Sequence, residues 1–507
     1  MYTATIYLYF GVALVHIMFW LYVIYQYRFH PLHHYPGPAF AKITNAYACF
    51  FAFKKELHLA TLAGHTKYGS VLRLGPNRIV FNTIQAAKDI YSNEQVSKSR
   101  IYLLTQSPPG VFNMFNIIDK AMHRSRRKVV KQVLSDHCMR LFEPQMLQQI
   151  DVFIDQISDC IRRDRVVNMT KHSQRLAVDI IGLLAFGYPL RTQTNPTNRF
   201  IFGGFANASW RANIFMQLPM LRLLKIDSII QLFSFGLREK YLHLLETMII
   251  SRLSQPKDAH HDLYSIFPEA TDSSIGSIRL TDIWSEALFF LSAGGDTIST
   301  ALSSLFFYLS RNQEAYLRLA EEVRTKFVSC SDIRDNATLK SCRYLRACVD
   351  EALRLSPPVP STLWREDYSV NEHILIDGNL IPKGVQFGIN IYALHHNENY
   401  FPDSFSYRPD RWLNASSEKG RIMRAAFMPF SAGMRACTGI KMAYREICLV
   451  IAKTIWLFDF EAVRGELGRV GATGDPTSPM RHRASEFQLY HVYSSTHDGP
   501  LLVFRRR

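Results

Sequence analysis

A cysteine near the carboxyl end has the setting that points most directly to chemistry. Cys437 stands in the run FSAGMRACTG, residues 430–439, and a long helical pattern follows it. A helix N-terminus favours a thiolate through its dipole and free backbone N–H groups, and a thiolate is what an iron ligand requires. Gly433 permits a tight turn beneath the sulfur, and Gly439 permits close approach of the helix to a flat cofactor. The spacing therefore predicts a metal-ligating thiolate, whereas a lone cysteine such as Cys448 is expected to be buried and inert.

An acid and an alcohol stand side by side in a long apolar helical pattern. The pattern runs from about 282 to about 310 and is apolar on nearly every face, which predicts a buried helix. Gly294, Gly295, Asp296 and Thr297 lie in its middle, although each glycine costs about 1 kcal/mol in a helix interior relative to alanine. The acid and the hydroxyl could relay protons. The alternative is a hydroxyl that bonds back to its own helix, beside a paired acid.

The run around Cys437 resembles the haem-binding loop FxxGxRxCxG of the cytochrome P450 superfamily at every fixed position. The likeness extends over nearly the whole chain. It implies haem b (iron protoporphyrin IX) as the cofactor, with Cys437 as the axial iron ligand and Arg435 beside a haem propionate. Phe430, Gly433 and Gly439 then belong to the cofactor-binding loop. Thiolate ligation pushes electron density onto the iron and favours O–O cleavage.

The glycine, acid and alcohol positions also match this family, whose pattern is (A/G)Gx(D/E)T. The resemblance implies that Gly294 and Gly295 leave room for dioxygen beside the iron. It implies that Asp296 and Thr297 are catalytic and relay protons, so that water can leave.

Two further segments resemble the family's structural support for the haem pocket. Glu351 and Arg354, three residues apart on one helix face, resemble its ExxR pair. Taken alone such a pair is weak evidence, because exposed pairs are worth only about 0–1 kcal/mol. Arg411 resembles the arginine that completes a buried Glu-Arg-Arg network, with Asp410 in place of the usual glutamate.

Other basic residues are expected near the haem propionates. Arg365 follows a proline-rich turn that resembles the family's entry into the sheet. His123 and Arg127 are four residues apart, so both can point the same way, and His123 stands where many members carry tryptophan. The remaining basic residues of that helix are expected to face solvent or an acidic electron donor: Arg124, Arg126, Lys128 and Lys131.

The amino-terminal segment predicts a membrane anchor. Residues 1–27 contain no Lys, Arg, Asp or Glu, and about 20 apolar residues suffice to span a bilayer. A cleaved signal peptide is the alternative, but it requires a basic n-region and a small-residue cleavage site. Positive residues follow the segment and none precede it, which puts the bulk of the chain on the cytosolic side. We expect an anchor at 1–27, a proline-rich elbow at 28–40 and a haem domain at 41–507.

The composition fits a globular body: 48% of the 507 residues are hydrophobic. Helical periodicity dominates, and strand-like runs are confined to 71–81 and 374–391. The expected fold is mainly α with a smaller β region, the cytochrome P450 fold, as a single large haem domain behind a transmembrane helix. The formal charge of +16 favours acidic partners or anionic lipid. Nucleic acid is not expected, because no recognised binding signature is present.

The resemblance implies an oxidoreductase that inserts one atom of O2 into a hydrophobic small molecule. Its electrons would come from NADPH-cytochrome P450 reductase, with cytochrome b5 as an optional second donor. Likeness to microsomal and fungal members implies a single-pass protein of the endoplasmic reticulum membrane, active in secondary metabolism. Apolar segments are candidate walls for the substrate: 112–115, 214–224, 289–290 and 359–363.

Two alternatives stay open at this point. A haem-thiolate isomerase or dehydratase would need no external electrons, and such enzymes often lack the acid and alcohol found at 296–297. A non-catalytic haem-binding protein is the other alternative, and no segment resembles an output domain.

Overall fold

Helices make up most of the fold, as predicted. The computed structural model describes residues 2–106, 109–224, 235–256, 258–260, 262, 265, 280–369, 373–413, 417–472 and 480–507. Its helices are α1 (Tyr2–Ile24), α2 (Ala39–Ile43), α3 (Ala46–Phe53), α4 (Leu57–Tyr68), α5 (Ile84–Tyr91), α6 (Lys120–Val133), α7 (Asp136–Arg162), α8 (Met169–Phe186), α9 (Phe200–Gln217), α10 (Met220–Leu223), α11 (Phe235–Leu253), α12 (Leu280–Arg311), α13 (Gln313–Lys326), α14 (Ala337–Lys340), α15 (Arg343–Leu355), α16 (Ile391–His395), α17 (Glu418–Ala426) and α18 (Ile440–Leu457).

The strands are short and form small sheets. They are β1 (Val71–Gly75), β2 (Arg78–Phe81), β3 (Val96–Lys98), β4 (Val167–Asn168), β5 (Arg365–Asp367), β6 (His373–Ile376), β7 (Asn379–Pro382), β8 (Gln386–Ile389), β9 (Phe458–Ala462), β10 (Tyr490–His491), β11 (Ser495–Thr496) and β12 (Leu501–Arg506). The largest sheet has the order β1-β2-β8-β5-β3, with β2 and β8 parallel. The other groupings are β4-β12-β9, β6-β7 and β10-β11. Both strand regions expected from the sequence are present, and β2 of the first pairs with β8 of the second, while β6 and β7 form a separate sheet. The expectation that strands are confined to these two regions is wrong, because β3, β4, β5 and β9 to β12 lie outside them.

The amino-terminal helix exposes its apolar side chains. Among the described residues, one helix is long and apolar enough to cross a membrane, Thr5–Phe29, and none of its most apolar stretch is buried against protein. By length and composition this helix is compatible with a membrane anchor. The residues that follow α1 are held to the body of the protein by Arg73 of β1, which is buried. The Arg73 guanidinium donates to Gln26 Oε1 at 2.7 Å and to the Leu32 carbonyl at 3.2 Å.

Helix α12 is the central element of the core and packs closely against α8. A Cβ at Gly294 would lie 2.7 Å from Ile181 Cγ1, and one at Gly295 would lie 2.6 Å from Val178 Cγ2. Both distances are too short for a real side chain. The two glycines are therefore explained by the close approach of α8, and the predicted space for dioxygen beside them stays a prediction.

A buried carboxylate joins α15 to the turn at 409–412. Glu351 accepts from Arg354 Nη2 at 2.8 Å, from Arg411 Nε at 3.0 Å and from Trp412 Nε1 at 2.9 Å. Burial by itself would raise the pKa of Glu351, but the charges of Arg354 and Arg411 outweigh it, so the pKa lies below its usual value. Glu351 and Arg354 are both fully buried. The buried Glu351 carboxylate therefore has two cationic partners within the protein.

Replacing Glu351 by alanine is expected to lower the free energy of unfolding by about 3–5 kcal/mol, because it leaves the buried Arg354 without its counter-charge. Denaturant unfolding of the full chain measures this. The matched control is Glu461→Ala, which removes the exposed pair with Arg505 Nη2 at 2.7 Å and should cost less than about 1 kcal/mol. Equal losses in the two variants would contradict a structural role for the network.

Candidate functional site

Cys437 lies in a loop that directly precedes α18. Its backbone N–H donates to the Phe430 carbonyl at 2.8 Å, which closes the loop. The N–H of Gly439, the N-cap residue of α18, donates to Cys437 Sγ at 3.3 Å. The ring of Phe430 packs against Tyr444 of α18, with centroids 5.3 Å apart. The sulfur is therefore held at a helix N-terminus, where the sequence predicted it.

The turn before the cysteine requires glycine. Gly433 has φ of +68°, in the left-handed region, and a Cβ at this position would overlap the carbonyl oxygen of Tyr91. Any side chain at residue 433 would push the cysteine loop away from α5.

The Cys437 thiol is desolvated yet keeps accessible surface. Burial raises its pKa, while the Gly439 N–H and the charge of Arg127 act in the opposite direction. The residue nevertheless keeps exposed surface. Arg127 is held nearby by donating to the Ala436 carbonyl at 2.6 Å. A thiolate here is incompletely compensated by protein groups, and a bound metal cation would supply the missing charge.

Five basic side chains converge on the same region, and we call them the cationic cluster: Lys98, His123, Arg127, Arg365 and Arg435. Burial, then the charges of the other four, lowers the pKa of His123 to about 2. The pKa of Lys98 is well below its usual value, because of burial and then the charges of Arg365 and Arg435. None of the five forms an ion pair with an acid in the part of the chain that the structure describes. An anion is the partner that would compensate this buried positive charge.

Backbone carbonyl oxygens hold the cluster in place. Lys98 Nζ donates to the Phe115 carbonyl at 2.7 Å. The two Nη atoms of Arg435 donate to the Ile117 and Ile118 carbonyls, both at 2.7 Å. Such neutral acceptors orient the cations but do not cancel their charge. The two carboxylates of haem match what the cluster lacks, so the residues present fit the cofactor that the resemblance implies.

Four members of the cationic cluster were expected from the sequence, and Lys98 was not. It lies at the end of a short strand, in no recognisable motif, and only its contacts with the Met114 and Phe115 carbonyls mark it. Arg365 is buried, 4% exposed, and its guanidinium lies 4.9 Å from the Tyr91 ring centroid.

The expectation that Arg126 faces solvent is wrong. Arg126 is 5% exposed and pairs with Asp282 at 2.8 Å and Glu286 at 3.1 Å, both in α12. Its position falls on the face of α6 that packs inward, whereas Arg124, Lys128 and Lys131 are exposed as expected.

Asp296 and Thr297 lie on α12 with different local roles. Thr297 Oγ1 donates to the Ala293 carbonyl at 2.6 Å, which is the back-bonded arrangement considered from the sequence. Asp296 has no ion-pair partner among the described residues, and burial raises its pKa to about 7. Ser494, in the turn between β10 and β11, lowers that pKa. An unpaired, desolvated acid beside a hydroxyl is suited to proton transfer near neutral pH.

Aromatic rings from distant parts of the chain meet near this segment. Phe115 stacks on Phe289 with centroids 5.7 Å apart, and it contacts Tyr493 at 4.8 Å and Tyr102 at 5.2 Å. Phe115 and Phe289 were expected as cavity walls, whereas the two tyrosines were missed. The segment 214–224, which was predicted as a cavity wall, is buried only in part: Met216 is buried, whereas Met220 is 65% exposed.

Comparison with known proteins shows the family of this chain. The family model for cytochrome P450 matches residues 36–468. Cytochrome P450 monooxygenase AKT7 of Alternaria alternata is 34% identical, over 96% of this chain and 94% of that protein. Cytochrome P450 monooxygenase poxM of Penicillium oxalicum is 33% identical, over 96% and 92%. Cytochrome P450 monooxygenase apf7 of Gibberella fujikuroi is 32% identical, over 97% and 98%. The chain belongs to the cytochrome P450 family.

Proposed function

We propose that the protein is a haem-thiolate monooxygenase that inserts one atom of O2 into a hydrophobic small molecule. The overall reaction consumes two electrons and two protons and releases one water. The observation that carries the proposal is Cys437 Sγ, held at the N-terminus of α18 by the Gly439 N–H at 3.3 Å. Bound haem supplies the oxygen chemistry, and the protein binds, orients and delivers protons.

We propose that the cofactor is haem b, with Cys437 as the iron ligand and the cationic cluster around its propionates. The cluster supports this because its buried charges have no acidic partner among the described residues. Two propionate carboxylates would offset the positive charges that, after burial, lower the pKa of His123. The haem side chains would thus complete a charge balance that the protein leaves open.

Asp296 and Thr297 are proposed to control proton movement at the reacting oxygen. Thr297 donates its only hydroxyl proton to the Ala293 carbonyl, so its oxygen lone pairs remain available as acceptors. The pKa of Asp296, about 7, lets its carboxyl group hold or release a proton under physiological conditions. An isomerase or dehydratase that uses no external electrons would not require such an acid, which favours the monooxygenase.

The electron donor is proposed to be NADPH-cytochrome P450 reductase, with cytochrome b5 as an optional second donor. Arg124, Lys128 and Lys131 are exposed on α6, the helix whose Arg127 contacts the cysteine loop. A positive surface beside the thiolate fits an acidic partner. We further propose an endoplasmic reticulum membrane location, with α1 as the anchor and the body in the cytosol. A role in fungal secondary metabolism is proposed, in line with the fungal monooxygenases that the chain resembles.

Replacing Cys437 by alanine is expected to abolish the strongly red-shifted Soret band of the reduced, carbon monoxide-treated protein, because that band requires thiolate ligation. The matched control is Cys448→Ala, which removes a thiol from the following helix and should leave the band in place. A red-shifted band that survives in the Cys437 variant, or a histidine-type band in the wild type, would reject the assignment.

Replacing Lys98 by methionine is expected to weaken haem binding about tenfold, since one charge-assisted contact of about 1.5 kcal/mol or more is lost. Transfer of haem to a scavenging apoprotein measures this. Lys131→Met removes an exposed charge from α6 and should retain haem like the wild type. Equal haem retention in both variants would remove Lys98 from the propionate site.

A further inference from the structure

A closed cleft lies between α9, the segment 361–364 and β10. Asn213, Ser361 and His491 contribute polar side chains to its walls, and Met216 and Trp364 contribute apolar ones. The walls approach so closely that a water molecule does not fit between them. A polar atom inside the cleft is therefore paired either by the protein or by a ligand that parts the walls.

Two polar atoms in this cleft make no hydrogen bond with any residue that the structure describes: Asn213 Nδ2 and His491 Nδ1. Both residues are 1% exposed, so bulk solvent does not pair these atoms either. Buried polar atoms are nearly always paired in native proteins, and an unpaired one raises the free energy of the folded state. Two such atoms in the walls of one cleft indicate a partner from outside the chain.

The direction of the Asn213 amide is set by an arginine, which can only donate. Arg78 Nη1 donates to Gln217 Oε1 at 3.0 Å, so Gln217 Nε2 is the end of that amide that faces Asn213. This nitrogen donates to Asn213 Oδ1 at 3.3 Å. The unpaired end of Asn213 is therefore its NH2 group, a donor of hydrogen bonds.

The tautomer of His491 is set by a serine that has one proton to give. Ser361 Oγ donates that proton to the Tyr493 carbonyl at 2.7 Å, so it accepts from His491 Nε2, which lies 2.5 Å away. Burial and then the charge of Arg481 lower the pKa of His491 to about 3, so the ring is neutral at physiological pH. Its one hydrogen is on Nε2, and the unpaired Nδ1 is an acceptor of hydrogen bonds.

The cleft adjoins the region that is expected to hold the substrate. Tyr493 lines the cleft, and its ring contacts Phe115 with centroids 4.8 Å apart. Phe115 in turn stacks on Phe289 of α12. These two phenylalanines and the segment 359–363 are the expected cavity walls, so one side of the cleft is continuous with them.

We propose that the substrate carries an uncharged group that both donates and accepts a hydrogen bond, a hydroxyl or a carboxamide, and that Asn213 and His491 bind this group. The inference rests on the proposed function, because it describes the molecule into which oxygen is inserted. Asn213 Nδ2 donates to the oxygen of the group, and the group donates to His491 Nδ1. Binding moves α9 away from the segment 361–364.

Charged groups fit the two atoms less well. An ionised carboxylate has no proton for His491 Nδ1, and an ammonium group has no lone pair for the NH2 group of Asn213. Each would leave one of the two atoms without a partner. Arg78 does not offer a carboxylate a contact in place of these, since its N–H groups are directed at the Met216 carbonyl, Gln217 and Gln386.

Binding of matched compounds to the ferric, haem-loaded full chain tests the proposal without turnover, with the shift of the Soret band as the readout. Each set contains an alcohol that donates and accepts, a methyl ether that only accepts and a hydrocarbon that does neither. The sets are dodecanol, methyl dodecyl ether and dodecane, and naphthylethanol, its methyl ether and ethylnaphthalene. In at least one set the alcohol is expected to bind about tenfold more tightly than the ether, which leaves His491 Nδ1 unpaired.

Variants separate the two contacts. His491→Phe should remove the difference between alcohol and ether, whereas Asn213→Leu should weaken both alike relative to the hydrocarbon. Ser361→Ala keeps the imidazole but no longer holds the proton on Nε2, so it should narrow the difference between alcohol and ether. The matched control Asn207→Leu makes the same substitution at an exposed position of α9 and should bind all three compounds like the wild type.

Three results would overturn the proposal. The first is an alcohol that binds no better than its ether in either set, or that causes no shift. The second is a tenfold difference that persists in both His491→Phe and Ser361→Ala. The third is tighter binding of ionised dodecanoate than of dodecanol, which would assign the cleft to an anion. With the thiolate band intact, each of these leaves the monooxygenase assignment in place, whereas loss of that band in the wild type would remove the proposed function itself.

Discussion

The arrangement of the cysteine loop depends on how the charge of one atom, Cys437 Sγ, is stabilised. Burial raises the pKa of Cys437, and the two groups that oppose it are the Gly439 N–H and the charge of Arg127. The loop that carries the sulfur is closed by the Phe430 carbonyl and depends on the left-handed turn at Gly433. Helix α18 lies in the core and keeps its N-terminus fixed, so the amide that faces the sulfur cannot drift away. A bound metal cation would complete the compensation that the protein supplies only in part.

Two buried groups of charges illustrate different uses of the same residue types. Glu351 pairs with Arg354 and Arg411, so these buried side chains have opposite charges beside them within the protein. In the cationic cluster, Lys98 and Arg435 are held by neutral acceptors, which are backbone carbonyl oxygens and the Ser97 hydroxyl. Removing a partner from a buried ion pair is costly, whereas cations without an acid favour the binding of an anion. The contrast explains why arginines that look alike in the sequence have different roles.

Helix α12 combines structural and chemical demands. Its glycines let α8 approach, and its Asp296 remains without a cation, so desolvation brings the carboxyl pKa to about 7. The outer turn is fixed by the pairing of Arg126 with Asp282 and Glu286. Helix α12 thus packs closely against α8, while its Asp296 carboxyl group has no cationic partner among the described residues.

Features encoded within a few residues could be predicted from the sequence. The cysteine loop, the helix after it, the long core helix and the Glu351–Arg354 pair depend on spacing along one element, and backbone geometry fixes such spacing. The inward direction of Arg126 and the position of Lys98 beside Arg365 and Arg435 were decided by tertiary structure. These depend on contacts between elements far apart in the chain, and the packing of whole helices sets which faces meet. Residue type and spacing therefore indicated the cysteine ligand, while the fold determined which charges surround it.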